Sequence, residues 1–121
     1  MHYNLKGTDV SITPEIRSYL EKKLQNLEKV IYHKDAVRAD VELHYVRDEA
    51  RVYRAEIMFH DVHLQAPLRV EARGQTLHEV IDVATGELFT DLTRAKKKRL
   101  HVMRRGAARV KDMLRGLRER F

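Results

Sequence analysis

VRADVELHYVRDEARVYRAEIMFHDVHLQAPLRVEAR, residues 37–73, is the stretch that decides the fold. Val37, Ala39, Val41, Leu43 and Tyr45 alternate with Arg38, Asp40, Glu42 and His44, the period of two expected of a half-buried strand. Tyr53, Ala55, Ile57 and Phe59 alternate in the same way with Arg54, Glu56, Met58 and His60. A third run sets Leu64, Ala66, Leu68, Val70 and Ala72 against Gln65, Pro67, Arg69, Glu71 and Arg73. Pro67 has no N–H to give to a ladder, which predicts an edge strand or an outward-facing proline. Arg47-Asp48-Glu49-Ala50 and His60-Asp61-Val62 are short connections, so the three strands are expected to form an antiparallel meander. Each has one apolar face, and something must cover that side of the sheet.

The flanks supply the cover. Upstream, Tyr3 and Leu5 alternate with polar residues in a short strand closed by Gly7. Thr13-Pro14-Glu15 then marks a helix start: a capping hydroxyl, a proline suited to the first helical position, and an acid that complements the dipole. Ile16, Leu20, Leu24, Leu27 and Ile31 form one apolar stripe, predicting a helix over residues 14–31 with Arg17, Lys22, Lys23 and Lys29 off or beside it. Downstream, Thr76-Leu77-His78-Glu79 is a capping box. Leu77, Val80, Ile81, Ala84, Leu88, Leu92 and Ala95 give a second buried stripe, and Gly86 within it is expected at a close helix–helix or helix–sheet approach. The order β-α-β-β-β-α predicts an α+β fold, a four-stranded sheet with both helices on one face and its first strand parallel to its neighbour. The expected division is a domain at 1–95 and a basic helical extension at 96–121.

Charge is distributed unevenly along the chain. From Arg94 on there are twelve Lys and Arg against Asp112 and Glu119, a local +10 in a chain whose total is +6, so residues 1–93 carry −4. A field of one sign in one element attracts polyanions such as RNA, DNA or an anionic membrane surface. With no Trp and few aromatics in the tail, phosphate contact is favoured there over base stacking. Leu100, Met103, Ala107, Val110, Leu114, Leu117 and Phe121 recur at alternating spacings of three and four, a heptad pattern. Gly106 and Gly116 argue against an uninterrupted rod, and the tail is expected to fray alone and become helical along RNA.

Other chemistry finds little support. With no Cys there is no thiol nucleophile and no Cys-ligated zinc. His60-Asp61-Val62-His63 is the one tight cluster that suggests a metal, but it lacks a third ligand of matched spacing, and a solvated turn accounts for it better. Asp82 and Glu79 share a helix without a nucleophile to serve, and no phosphate loop or catalytic triad is visible. Neither cofactor, metal nor enzymatic activity is expected. No apolar run has the length of a membrane span, and residues 1–7 lack a signal-peptide core, so a cytoplasmic protein without membrane contact is expected.

Several motifs together resemble a known family. Asn4, Gly7, Val10, Ile12 and Thr13 form an N-x-x-G-x-x-V-x-I-T opening; Arg17, Lys23, Leu27 and Glu28 lie on the first helix. Gly74, Gln75, Leu77, Ile81 and Asp82 form a further run, followed by Leu88, Leu92 and the basic stretch. Over residues 1–100 the chain resembles the ribosome hibernation-promoting factors, also called ribosome-associated inhibitor or sigma-54 modulation proteins, in their short form without a ribosome-dimerising domain. That resemblance implies a stationary-phase stress factor on the small ribosomal subunit. It would fill the mRNA and tRNA channel near the decoding centre and inhibit translation by occlusion.

By position, the resemblance carries rRNA contact to Lys22 and Lys23 on the first helix and to Arg94, Lys96 and Lys98 on the second. Lys29, Lys97, Arg99, Arg104, Arg105 and Arg109 join them as RNA-binding residues. Glu87 and Thr90 stand where the family often has Lys or Arg, and Asp91 follows. Off the ribosome a monomer is expected, because two strongly positive tails repel each other. Two other readings remain open: a general double-stranded RNA-binding module, and a self-associating protein that uses the heptad seam.

Overall fold

The computed structural model describes residues 1–31, 33–47 and 50–120, with the backbone alone at 117–120. Its elements run β1 (His2–Thr8), α1 (Pro14–Glu28), a short 3-10 turn (Lys34–Ala36), β2 (Val37–Tyr45), β3 (Tyr53–Asp61), β4 (Leu68–Gly74) and α2 (Leu77–Arg120). The sheet order is β1-β2-β3-β4; β1 is parallel to β2 and the other two pairs are antiparallel. This is the α+β arrangement expected from the alternation.

Strand phase sets what each face carries. Leu5, Val41, Ile57 and Val70 lie in one row across all four strands. Val41, Ile57 and Val70 are buried with Leu20, Leu24 and Leu27 of α1 and Ile81, Leu88 and Leu92 of α2. Tyr3, Leu5 and Leu68 are half-buried at the margin of this core. Phe59 and Leu20 are completely enclosed; burying one such side chain contributes about 1.5–3 kcal/mol. α2 packs on β3 and β4 and runs beside α1.

The helix starts obey their sequence signals. Thr13 Oγ1 accepts from the Ile16 N–H at 3.2 Å, and Thr76 Oγ1 accepts from the Glu79 N–H at 3.1 Å. The Glu79 carboxylate reaches back to the Gln75 N–H at 2.9 Å, one residue earlier than the usual box. A Cβ on Gly74 would stand 2.7 Å from that carboxylate carbon, so the missing side chain makes room for the cap.

Four expectations need correction. The first helix ends at Glu28, because Val30 and Ile31 bond back three residues and tighten the last turn; Ile31 stays buried all the same. The strand expected from Leu64 begins at Leu68. The Asp61 carboxylate accepts from the His63 N–H, and the Leu64 N–H donates to the Asp61 carbonyl, turning the chain away, and Pro67 can offer no ladder donor. Ala66 is accordingly exposed.

Gly86 marks no close approach; it is exposed, with open space around the position a Cβ would take. Nor do Gly106 and Gly116 break α2, which runs through both as one 44-residue helix. Its packed first half supplies the nucleus, after which propagation past a glycine costs only about 1 kcal/mol each. Asp48 and Glu49 of the expected turn, and Phe121 of the heptad, lie outside the described residues.

Candidate nucleic-acid interface

α1 and α2 lie side by side in the same direction, fastened by a polar knot. Tyr19 O–H donates to Asp82 Oδ1 at 2.5 Å, and Lys23 Nζ lies 3.1 Å from the same oxygen. The Tyr19 ring meets His78 edge-on at 4.6 Å, and Lys23 Nζ stands 5.4 Å from the centre of that ring. Burial pushes the Asp82 pKa up, but hydrogen bonds from Tyr19 and Lys23 outweigh it, and the net shift is downward. The same hydrogen bonding raises the pKa values of Lys23 and Tyr19.

This knot separates two adjacent lysines. Lys22 is exposed on α1, whereas Lys23 is half-buried and its charge is shared with Asp82. Lys29, exposed, caps α1 at the end where Val30 and Ile31 approach Leu92, Ala95 and Arg99 of α2. Arg94, Lys97, Lys98 and Arg99 are exposed on α2, and Lys96 is half-buried. Lys29 therefore joins the α2 cations at one end of the helix pair, while Lys22 stands further up α1. Glu87 and Thr90 are exposed along the same helix before Arg94, and the Thr90 hydroxyl donates to the Gly86 carbonyl at 3.1 Å. Arg104, Arg105 and Arg109 sit on the part of α2 that projects past the sheet, where every described side chain from Lys97 to Arg115 is exposed. Lys111 and Arg115 are equally exposed there; the run of tail cations already pointed to them.

The open sheet face pairs its charges within and across the strands. Lys6, Glu42, Glu56 and Glu71 form one row across the four strands. Three carboxylates in line would repel one another; arginines from the neighbouring rows compensate Glu56 and Glu71, while Glu42 accepts from the Thr8 hydroxyl at 2.8 Å. Arg69 contacts Glu56 at 2.6 Å and Glu71 at 3.4 Å, Arg54 contacts Glu56 at 3.3 Å, and Arg73 contacts Glu71 at 3.3 Å. The Arg69 hydrogen bonds, against the effect of burial, hold the Glu56 carboxyl below its ordinary range. This face is internally neutralised. On the helical side the cations of α2 from Arg94 onward have few partners of opposite sign in sequence, whereas α1 carries Glu15, Glu21 and Glu28 beside Arg17, Lys22 and Lys23, and the first part of α2 carries Glu79, Asp82, Glu87 and Asp91.

The histidine turn brings nothing together. His60 Nε2 lies 3.2 Å from Asp40 on the open face, whereas the His63 ring stacks against His33 at 4.6 Å. Among the described residues, Glu42, His44 and Glu56 lie close enough to share a cation. Glu42 is already engaged by Thr8 and Glu56 by two guanidiniums, so a metal there would meet positive charge at once. No helix among the described residues is long and apolar enough to cross a membrane.

Sequence reasoning missed Tyr19 and Asp82 as the partners that occupy Lys23. They lie 63 residues apart, and only the packing of the helices joins them.

Residues 3–100 match the family described as sigma 54 modulation protein / S30EA ribosomal protein. A ribosome hibernation promotion factor of Bacillus subtilis (strain 168) is 26% identical over 98 residues, covering 81% of this chain and 50% of that protein. The chain thus spans about half the length of that relative. The crystal structure of the Thermus thermophilus Protein Y N-terminal domain superposes with a TM-score of 0.61 at 31% identity, covering 78% of this chain and 98% of that one. A ribosomal subunit interface protein from Coxiella burnetii shares the fold with a TM-score of 0.65 at 19% identity, covering 80% and 99% of the two chains.

Proposed function

On the premise that this chain belongs to the sigma 54 modulation protein / S30EA ribosomal protein family, we propose that it is a ribosome hibernation factor. It binds the small subunit through rRNA, occupies the mRNA and tRNA channel near the decoding centre, and stops translation by occlusion. It performs no chemistry and needs no cofactor. Residues 1–95 are the ribosome-binding unit and residues 96–121 a basic extension of it. Off the ribosome the protein is a cytoplasmic monomer.

The observation that carries this reading is the concentration of exposed cations on α2 from Arg94 onward, joined by those of α1. Exposed Lys22, Lys29, Arg94, Lys97, Lys98 and Arg99 line two adjacent helices, whereas the sheet face pairs its own charges. Affinity is then dominated by Lys and Arg contacts to rRNA phosphates, and shape places the fold on the RNA. Lys23 contributes indirectly, by holding α1 to α2 through Asp82.

A variant carrying Lys22→Glu, Arg94→Glu, Lys97→Glu and Lys98→Glu tests the surface without touching the knot. It should keep its helix content and unfolding midpoint, fail to co-sediment with small subunits, and no longer inhibit reconstituted translation. For the parent protein, excess mRNA with tRNA should compete. Undiminished association of the variant would show that the surface is wrongly assigned.

A further inference from the structure

The part of α2 that leaves the sheet keeps an apolar side. At about 100° per residue, Leu100, Met103, Ala107, Val110 and Leu114 fall on the same half of the helix as Ile81, Leu88 and Leu92. Inside the domain that half is buried; beyond it Met103 is 61%, Val110 55% and Leu114 57% exposed. Alternating spacings of three and four make these the a and d positions of a coiled-coil seam. The flanking positions are Arg104 and Lys111 on one side and Arg99, Gly106 and Met113 on the other. None of them is acidic.

Those flanks select the occupant. A second copy laid parallel would set Arg99 of one chain against Arg104 of the other; laid antiparallel, it would set the Arg104 and Lys111 flanks against each other. Both register choices place cation on cation at the positions that decide partner choice. A helix with acids at its flanking positions converts each of these repulsions into an attraction.

The head of the seam also continues into the domain. Leu100 and Met103 line a cavity of about 280 Å³ together with Val30, Ile31, Leu64 and Leu92, and Arg99 stands at the same opening. Arg94, Lys97 and Arg105 project from the opposite half of the helix, so this surface can be filled while those cations face a polyanion.

We propose that this seam docks an amphipathic α-helix of a different protein, whose apolar stripe is flanked by Asp and Glu and whose end places a large apolar side chain in the cavity. The mode is helix against helix, with the apolar contacts giving affinity and the basic flanks giving specificity.

The probe is a fluorescein-labelled synthetic peptide of three heptads with Leu at a and d and Glu at e and g. It is titrated by anisotropy into the full-length protein at physiological salt. It should bind saturably, and at least tenfold more tightly than peptides with Lys at e and g or with Ser at a and d. Met103→Ser with Val110→Ser, both at exposed positions, should weaken binding at least tenfold.

Equal binding of the Ser-substituted acidic peptide would overturn the proposal, since any polyanion would then suffice. So would unaltered binding by the double variant. A dimer of the parent protein in sedimentation equilibrium that the double variant dissolves would make a second copy the occupant. Phosphatidylglycerol vesicles that bind in a Met103- and Val110-dependent way while the peptide does not would make it a membrane surface. Either result also overturns the proposal.

Discussion

Gly7 shows how a single residue closes the first motif of the chain. A Cβ there would stand 2.7 Å from the Val10 carbonyl oxygen and 3.1 Å from the Ile12 side chain. The chain folds back over β1 at this point, with Asp9 at φ 56° in the left-handed region. The obstacle is backbone, so it cannot swing aside. Gly7→Ala should destabilise the protein by about 1–3 kcal/mol, the usual range for overpacking, as read by urea unfolding.

Asp82 makes a second prediction, in pH. Its folded pKa is lowered although burial opposes the shift, as is that of Asp40, chiefly through the Asn4 hydrogen bond, and that of Glu56 through Arg69. A depressed carboxylate contributes stability that is complete above its unfolded pKa, about 4, and is lost as pH falls through the folded value. Unfolding free energy should therefore drop on acidification below about pH 4. Asp82→Asn should be less stable than the parent at pH 7 and should lose less on going to pH 3. Parallel pH profiles would mean that the Tyr19–Asp82–Lys23 knot does not form in solution.

At the scale of elements, α2 is the informative case. Gly106 and Gly116 lie in its exposed half with nothing near their missing side chains. Each replacement by Ala should favour the helix by up to about 1 kcal/mol locally, visible as increased helical circular dichroism and slower amide exchange in residues 101–116. Gly106→Pro should do the reverse and kink the helix there.

What the sequence could reveal about these elements follows from what determines them. β2 and β3 were legible to within a residue because their alternation and their burial are the same fact. The early start expected for β4 failed because Leu64 and Ala66 continue the alternation by chance, while an aspartate turn and Pro67 interrupt the ladder. Continuity of α2 was hidden as well: glycine content reports a local cost, whereas the packed half of the helix decides whether that cost is borne. The candidate interface was legible as charge. The different settings of Lys22 and Lys23 were not, because only helix packing brings Asp82 to Lys23 and leaves Lys22 exposed.

The whole molecule is polar in the electrostatic sense, with a sheet face that pairs charges across its strands and a cationic stretch of α2 from Arg94 onward that runs past the sheet. If rRNA is the partner, deleting residues 101–121 should weaken ribosome binding and flatten its salt dependence. That segment carries Arg104, Arg105, Arg109, Lys111, Arg115, Arg118 and Arg120. At about 0.7–0.9 in slope of log K against log salt per phosphate contact, the deletion should lower the slope by several units. Identical slopes for the full and shortened chains would show that the tail makes no phosphate contact.

Because one helix belongs both to the core and to the overhang, it also acts as a lever. Its fulcrum is the seat of Leu88 and Leu92 on the sheet, and from Leu92 to Arg120 the arm is about 42 Å long at 1.5 Å per residue. A tilt of only ~10° at the seat swings the far end by roughly 7 Å on that geometry, more than the ~5.4 Å pitch of one helical turn. A conservative change at Leu88 or Leu92 that tilts this seat should therefore re-aim the arm, the length of the helix turning a small repacking into a change of reach.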